Sequence, residues 1–188
     1  MIDWSIIVPG ALGVSVFIWL IASYNGLIRI RNLVENSWNQ IDVQLKRRHD
    51  LIPNLMECVK GYMKHEDSIF AKVAQARNLA QQAQKRDEKM EAEGQLTGAL
   101  MSFISVVEAY PELKANQNFM DLQEELKSTE NKIGFSRQYY NDVVMDYNNQ
   151  RQSFPTMFVA SFCNFAEEAY WKIQATEERM TPTVTFSS

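Results

Sequence analysis

Turn-forming residues are scarce in this sequence, with 7 Gly and 5 Pro among 188 residues. Folds assembled from many short strands need Gly, Pro and Asn punctuation at close intervals, so a β-sandwich or barrel is excluded. Cysteine is nearly missing. Cys58 and Cys163 lie in apolar stretches and read as reduced packing residues, which leaves no disulfide framework. Histidine is equally rare: neither His49 nor His65 sits in an H-E-x-x-H pattern or pairs with cysteine at metal-ligand spacing, and each reads as a surface or helix-end residue. There is no G-x-S-x-G elbow, no phosphate-cradling glycine loop and no dinucleotide fingerprint. The carboxylate pairs Glu124-Glu125 and Glu167-Glu168 are adjacent, so on a helix they point about 100° apart and do not converge for acid–base work. A basic excess is also lacking. The net charge is −4 and the pI about 5.3, which argues against nucleic-acid binding by counterion release. These absences predict a non-enzymatic protein with no cofactor, no metal and no small-molecule substrate.

Charge is absent altogether from Trp4 to Ile28. A helix of that length rises about 1.5 Å per residue and can cross a hydrocarbon core of roughly 30 Å. The predicted anchor residues are Trp4, Ile6, Ile7, Val8, Leu12, Val16, Phe17, Ile18, Trp19, Leu20, Ile21 and Tyr24, with Trp4 and Tyr24 near the two headgroup levels. Only Asp3 and the terminal amine precede the run, whereas Arg29 and Arg31 follow it. The positive-inside rule then puts the amino terminus outside and the remaining domain in the cytoplasm, as a single-pass protein of the inner membrane. A cleaved signal peptide would carry its positive charge before a shorter apolar run, so a retained span is the favoured reading. The basic triplet Lys46-Arg47-Arg48 lies roughly 27–30 Å of helix beyond the span and is expected to meet protein or solvent rather than lipid.

What remains is helical. Leu27, Ile30, Val34, Trp38, Ile41 and Leu45 recur at a period near 3.6, and the stripe continues through Ile52, Leu55, Val59 and Met63. Pro53 interrupts it, and the pattern predicts a break or sharp kink between Lys46 and Pro53. The charged run Gln84–Gly94 reads as a solvated helix end and turn, followed by a helix over Leu96–Ala109 that Pro111 stops. A last long helix spans about Asn116 to Arg151. The expected architecture is all-α: an amino-terminal transmembrane helix continuing into an antiparallel up-and-down bundle of about four helices. The expected divisions are an anchor (1–28), a cytoplasmic bundle (29–152) and an aromatic-rich segment with an extended tail (153–188) in which Thr181–Ser188 reads as extended.

Three charges fall on apolar stripes: Arg31, Glu130 and Arg137. A charge facing a core must be paired, so they form a candidate buried polar cluster, read first as a structural ion pair that sets helix register and second as a functional centre. After Arg151 come Phe154, Phe158, Phe162, Phe165, Tyr170 and Trp171. This segment is a candidate interfacial or partner-binding surface if the last helix returns toward the bilayer, or a tail packed across the bundle end.

The stretch Tyr24–Leu55 (YNGLIRIRNLVENSWNQIDVQLKRRHDLIPNL) resembles the LemA family, as do VKGYMKHE at Val59–Glu66, YPELKANQNF at Tyr110–Phe119 and RQYYN at Arg137–Asn141. The resemblance covers Tyr24 to about Ala160. It implies a bacterial-type membrane protein with an amino-terminal span, amino terminus outside, a helical-bundle domain and no established enzymatic activity. It also implies association with membrane-embedded zinc metalloproteases of the heat-shock type. Together with the missing chemistry, this gives a first expectation of a self-associating membrane-anchored scaffold or adaptor whose partners are the lipid bilayer, further copies of itself and another membrane protein. The alternatives are an accessory subunit of such a protease, a membrane-remodelling protein acting through the aromatic segment, and, least favoured, an enzyme of unrecognised type.

Overall fold

The computed structural model describes residues 4–63 and 65–172, with the backbone alone for residues 4–7 and Lys114. The anchor side chains Trp4, Ile6 and Ile7, and the tail Thr181–Ser188, therefore lie outside the described residues. Every regular element among the described residues is an α-helix: α1 (Trp4–Lys60), α2 (Asp67–Gln82), α3 (Arg86–Val107), α4 (Pro111–Lys114), α5 (Gln117–Gln152) and α6 (Thr156–Phe162). The all-α class expected from composition and period is the one the chain adopts.

α1 corrects the expected break. It is a single helix of 57 residues that passes through Pro53 without interruption. Proline offers no N–H, so the carbonyl of the residue four earlier, His49, loses its intrahelical donor. Arg77 on α2 supplies the replacement, donating from Nε to the His49 carbonyl oxygen at 2.8 Å. Asp50, a possible cap for a new helix in sequence terms, is instead bonded on the exposed face by Lys46 at 2.8 Å. That hydrogen bond and charge hold its carboxyl below the usual value.

The residues fall into two compact units, one comprising residues 4–43 with Lys132–Tyr170, the other Gln44–Asn131 with residues 171–172. α1 and α5 each contribute to both, so these units cut across the divisions drawn along the sequence. In the first unit, Leu27, Val34, Trp38 and Ile41 of α1 are buried, as are Ile133, Tyr140, Val144 and Tyr147 of α5. Trp38 and Tyr140 meet edge-on with ring centroids 5.4 Å apart. In the second, Ile52, Leu55, Val59 and Met63 share one core with Ile69, Val73, Leu96, Leu100, Phe103 and Phe119. α2 and α3 pack together, and Phe70 and Phe103 stand 6.0 Å apart.

α3 begins at Arg86, ten residues before the helix expected at Leu96. The charged run that suggested a solvated turn is mostly its first three turns. Apart from Asp87, which suits the first turn, and Gly94 these are good helix formers, and Ala92 and Glu93 are buried in the core. α3 ends at Val107, and Pro111 occupies the first position of α4, where a missing N–H costs nothing. Asn116 caps α5 by accepting the Phe119 N–H on its Oδ1 at 3.2 Å.

Replacing Arg77 by Ala is expected to lower the unfolding free energy of the full chain in detergent by about 1–3 kcal/mol, because the His49 carbonyl is left without a donor. Adding Pro53→Ala should recover most of that loss by restoring the backbone N–H. A double-mutant cycle in urea measures the coupling, and strictly additive effects would remove this account.

Candidate functional site

The least expected feature of the second unit is a buried charge. Arg48 follows Leu45 by three residues and precedes Ile52 by four, so it lies on the apolar stripe of α1, and it is fully buried. Glu93 holds the equivalent place on α3, three residues before Leu96, and is also fully buried. Arg48 Nη2 pairs with the Glu93 carboxylate. Its Nη1 donates to Glu130 Oε2 at 2.6 Å and to Thr97 Oγ1 at 2.9 Å. Thr97 in turn donates to the Glu93 carbonyl at 3.0 Å. His49, 7% exposed, completes the group with Nε2 at 2.8 Å from Glu93 Oε1.

Burial is the largest single influence on the Glu93 carboxyl and raises its pKa. The His49 contact and the Arg48 charge together outweigh it, so the group titrates below its ordinary value of 4.5. Arg48 is held by two carboxylates, of which Glu93 is fully buried whereas Glu130 is 39% exposed. Glu130 and Thr97 also line an open groove of about 700 Å³ between α3 and α5. Among the described residues no three His, Cys, Asp or Glu side chains come together in a way that could hold a metal ion.

Of the three charges expected to cluster, Glu130 belongs here, paired with Arg48. Arg31 and Arg137 belong to the first unit, Arg31 exposed and Arg137 half-buried. His49, read as a surface or helix-end residue, is a core residue. Sequence reasoning missed Arg48 and Glu93 because each stands in a run of charges. Their phase with Leu45, Ile52, Leu96 and Leu100 was the available signal. The rest of the basic triplet is engaged on the surface, Lys46 by Asp50 and Arg47 by Glu125 at 2.6 Å.

The family-like motifs also acquire physical roles. Tyr110 donates its hydroxyl to Glu66 Oε1 at 3.2 Å, and Asn116 Nδ2 donates to the Tyr62 hydroxyl at 3.2 Å. The stretches Val59–Glu66 and Tyr110–Phe119 thus meet where two helix connections pass each other, over buried Met63, Leu113 and Phe119.

The aromatic segment divides. Trp171, which belongs to the second unit, is buried. In the first unit Phe165 is buried, its ring 5.8 Å from Tyr24. Phe154, Phe158 and Phe162 are 78%, 61% and 90% exposed, and Tyr170 is partly so. An apolar groove of about 550 Å³ is lined by Leu20, Ile21 and Tyr24 of α1 and by Phe158, Phe162 and Cys163. Between α6 and residue 172 the described chain has no regular structure, and α5 satisfies much of its backbone. Tyr140 and Tyr147 donate their hydroxyls to the Ala169 and Ala166 carbonyls at 2.9 and 2.8 Å. Asn148 exchanges two bonds with Glu168, donating to its carbonyl at 2.9 Å and accepting its N–H at 3.1 Å. Burial, then the nearby Glu168 charge, raises the Tyr147 phenol above its ordinary value. Toward the amino terminus, the charge-free part of α1 is long and apolar enough to cross a membrane, and its side chains from Val8 to Ile18 are exposed, consistent with membrane anchoring.

Arg48→Ala is expected to cost about 3–5 kcal/mol, since it strands Glu93 as an uncompensated buried charge. Arg48→Met with Glu93→Met should recover most of that loss, measured by chemical denaturation. A lowered folded-state pKa means that the stabilisation from Glu93 is full above pH about 4.5 and disappears as pH falls through the folded-state value. Thermal unfolding should therefore show an acid-side loss of stability that Glu93→Gln flattens.

A model of the LemA family matches residues 37–186. The match continues beyond Ala160, where the motif resemblance stopped, through the aromatic segment. A Protein LemA of Metamycoplasma hominis is 25% identical over 150 residues, covering 79% of this chain and 68% of its own length. Magnetosome proteins MamQ 2 and MamQ 1 of Paramagnetospirillum magneticum are each 22% identical over 195 residues, covering 89% of this chain and 72% of theirs. With a family model spanning most of its length, the chain belongs to the LemA family.

Proposed function

We propose that this protein is a membrane-anchored, non-enzymatic scaffold or adaptor. The observation that carries the reading is the exposure of the apolar half of α1: Leu12 and Phe17 are 67% and 64% exposed on a helix that continues, unbroken, into a packed core. Lipid is the solvent such a surface requires. Arg29 and Arg31, both exposed just past the run, support an amino terminus outside and a cytoplasmic domain at the inner membrane. Phe135 and Tyr139, one turn apart on α5 and 72% and 42% exposed, offer a surface for a second copy or another membrane protein. A membrane zinc metalloprotease is the alternative partner, and that version rests on the family resemblance alone. Membrane remodelling through the aromatic segment is a further alternative, favoured by the exposed rings of α6.

A photo-crosslinking phenylalanine analogue at position 135, irradiated in native membranes, should capture a second copy or a specific membrane protein, identified by mass spectrometry. Capture of lipid only, with monomeric protein throughout, would sink the scaffold reading.

A further inference from the structure

The exposed rings of the aromatic segment are held in one place. α6 turns Val159 and Ala160 inward, 7% and 2% exposed, and presents Phe158 and Phe162 outward one turn apart. Phe154 joins them, its ring 5.9 Å from Phe158 in an edge-to-face contact. The helix ends in a left-handed cap. Asn164 has φ 55°, the Phe165 N–H bonds to the Ala160 carbonyl at 2.9 Å, and the Asn164 N–H bonds to the Ser161 carbonyl at 3.3 Å. Asn tolerates this conformation better than most residues. The bonds from Tyr140, Tyr147 and Asn148 then tie down the following segment. The patch is built, not frayed.

Its position within the first unit identifies what covers it. Leu20, Ile21 and Tyr24 share a groove with Phe158, Phe162 and Cys163. Those α1 residues form the last turns of the charge-free run, and Arg29 stands about 7–8 Å further along the axis. α6 therefore lies beside the end of the candidate span, at the level where aromatic rings meet headgroups and the first arginine meets phosphates. We propose that Phe154, Phe158 and Phe162 insert into the headgroup–acyl boundary, making α6 a second, interfacial membrane contact beside the span. The inference rests on α1 being the anchor. It adds that the bilayer also grips the carboxyl-terminal part of the chain and so limits rotation and tilt of the first unit about the span. The occupant is lipid because the patch is continuous with the lipid-facing surface of α1; an apolar protein partner at this level would have to displace bilayer to reach it.

The test uses the full chain in phosphatidylcholine vesicles. A Cys58→Ala variant is labelled at Cys163 with an environment-sensitive fluorophore, and helix content is checked by circular dichroism. Iodide should quench this label roughly threefold less than the same label at Glu91→Cys on α3 in a Cys-free background, and lipids spin-labelled near the headgroup should quench it more than lipids labelled at the chain end. Replacing Phe158 and Phe162 by Ser should restore iodide quenching without changing helix content. Equal iodide quenching at positions 163 and 91 overturns the proposal, as does shielding from iodide without lipid quenching, which would mean that protein covers the patch. A label at Leu12→Cys separates the two readings. Deep quenching there with none at Cys163 leaves the anchor standing and removes the interfacial helix; no lipid quenching at either position removes both.

Discussion

A helix holds a proline in its interior only when the carbonyl one turn earlier finds another donor. In this chain the carbonyl is that of His49 and the donor is Arg77 Nε. Much follows from that one bond. α1 must keep its phase past Pro53 for Leu55 and Val59 to reach the core that already holds Ile52. The same turn carries Arg48, whose side chain must arrive at Glu93.

Arg48 is the second constraint, and an electrostatic one. Complete burial of a guanidinium is unfavourable unless opposite charge surrounds it. Glu93 and Glu130 supply that charge, with Thr97 and the Glu93 carbonyl filling further donor directions. Such a cluster stabilises one register of α1 against α3 and α5 more than it stabilises folding as such, because a shift of one helical position would leave each member unpaired. The contacts between Tyr62 and Asn116 and between Glu66 and Tyr110 act in the same way where the connections pass.

The carboxyl-terminal segment shows how an irregular chain becomes ordered. It has no ladder of its own, so its carbonyls depend on donors from α5. Tyr140, Tyr147 and Asn148 are spaced at seven and eight residues, about two turns, and reach successive points along it. Tyr140 of the RQYYN stretch, and Tyr147 two turns later, each bury a ring in the core and bind backbone through the hydroxyl, while the neighbouring Tyr139 is exposed. Order in this segment is what makes the exposure of Phe154, Phe158 and Phe162 a designed surface.

Helical class, the apolar run and the division of each helix into faces were legible in sequence, because they depend on local period and on the near absence of turn residues. The position of Glu130 on a stripe was legible for the same reason. The pairing was not. Whether Glu130 meets Arg137, Arg31 or Arg48 depends on which helices lie side by side, and charge type carries no address. Nor was the continuity of α1, since the donor that rescues Pro53 is 24 positions further along the chain. Burial of His49, Arg48 and Glu93 inside charged runs, and the separation of Phe165 and Trp171 from their exposed neighbours, were likewise decided by tertiary packing. Periodicity is a property of neighbours in sequence. Partnership between charges, and the choice of which aromatic ring is covered, are properties of neighbours in space.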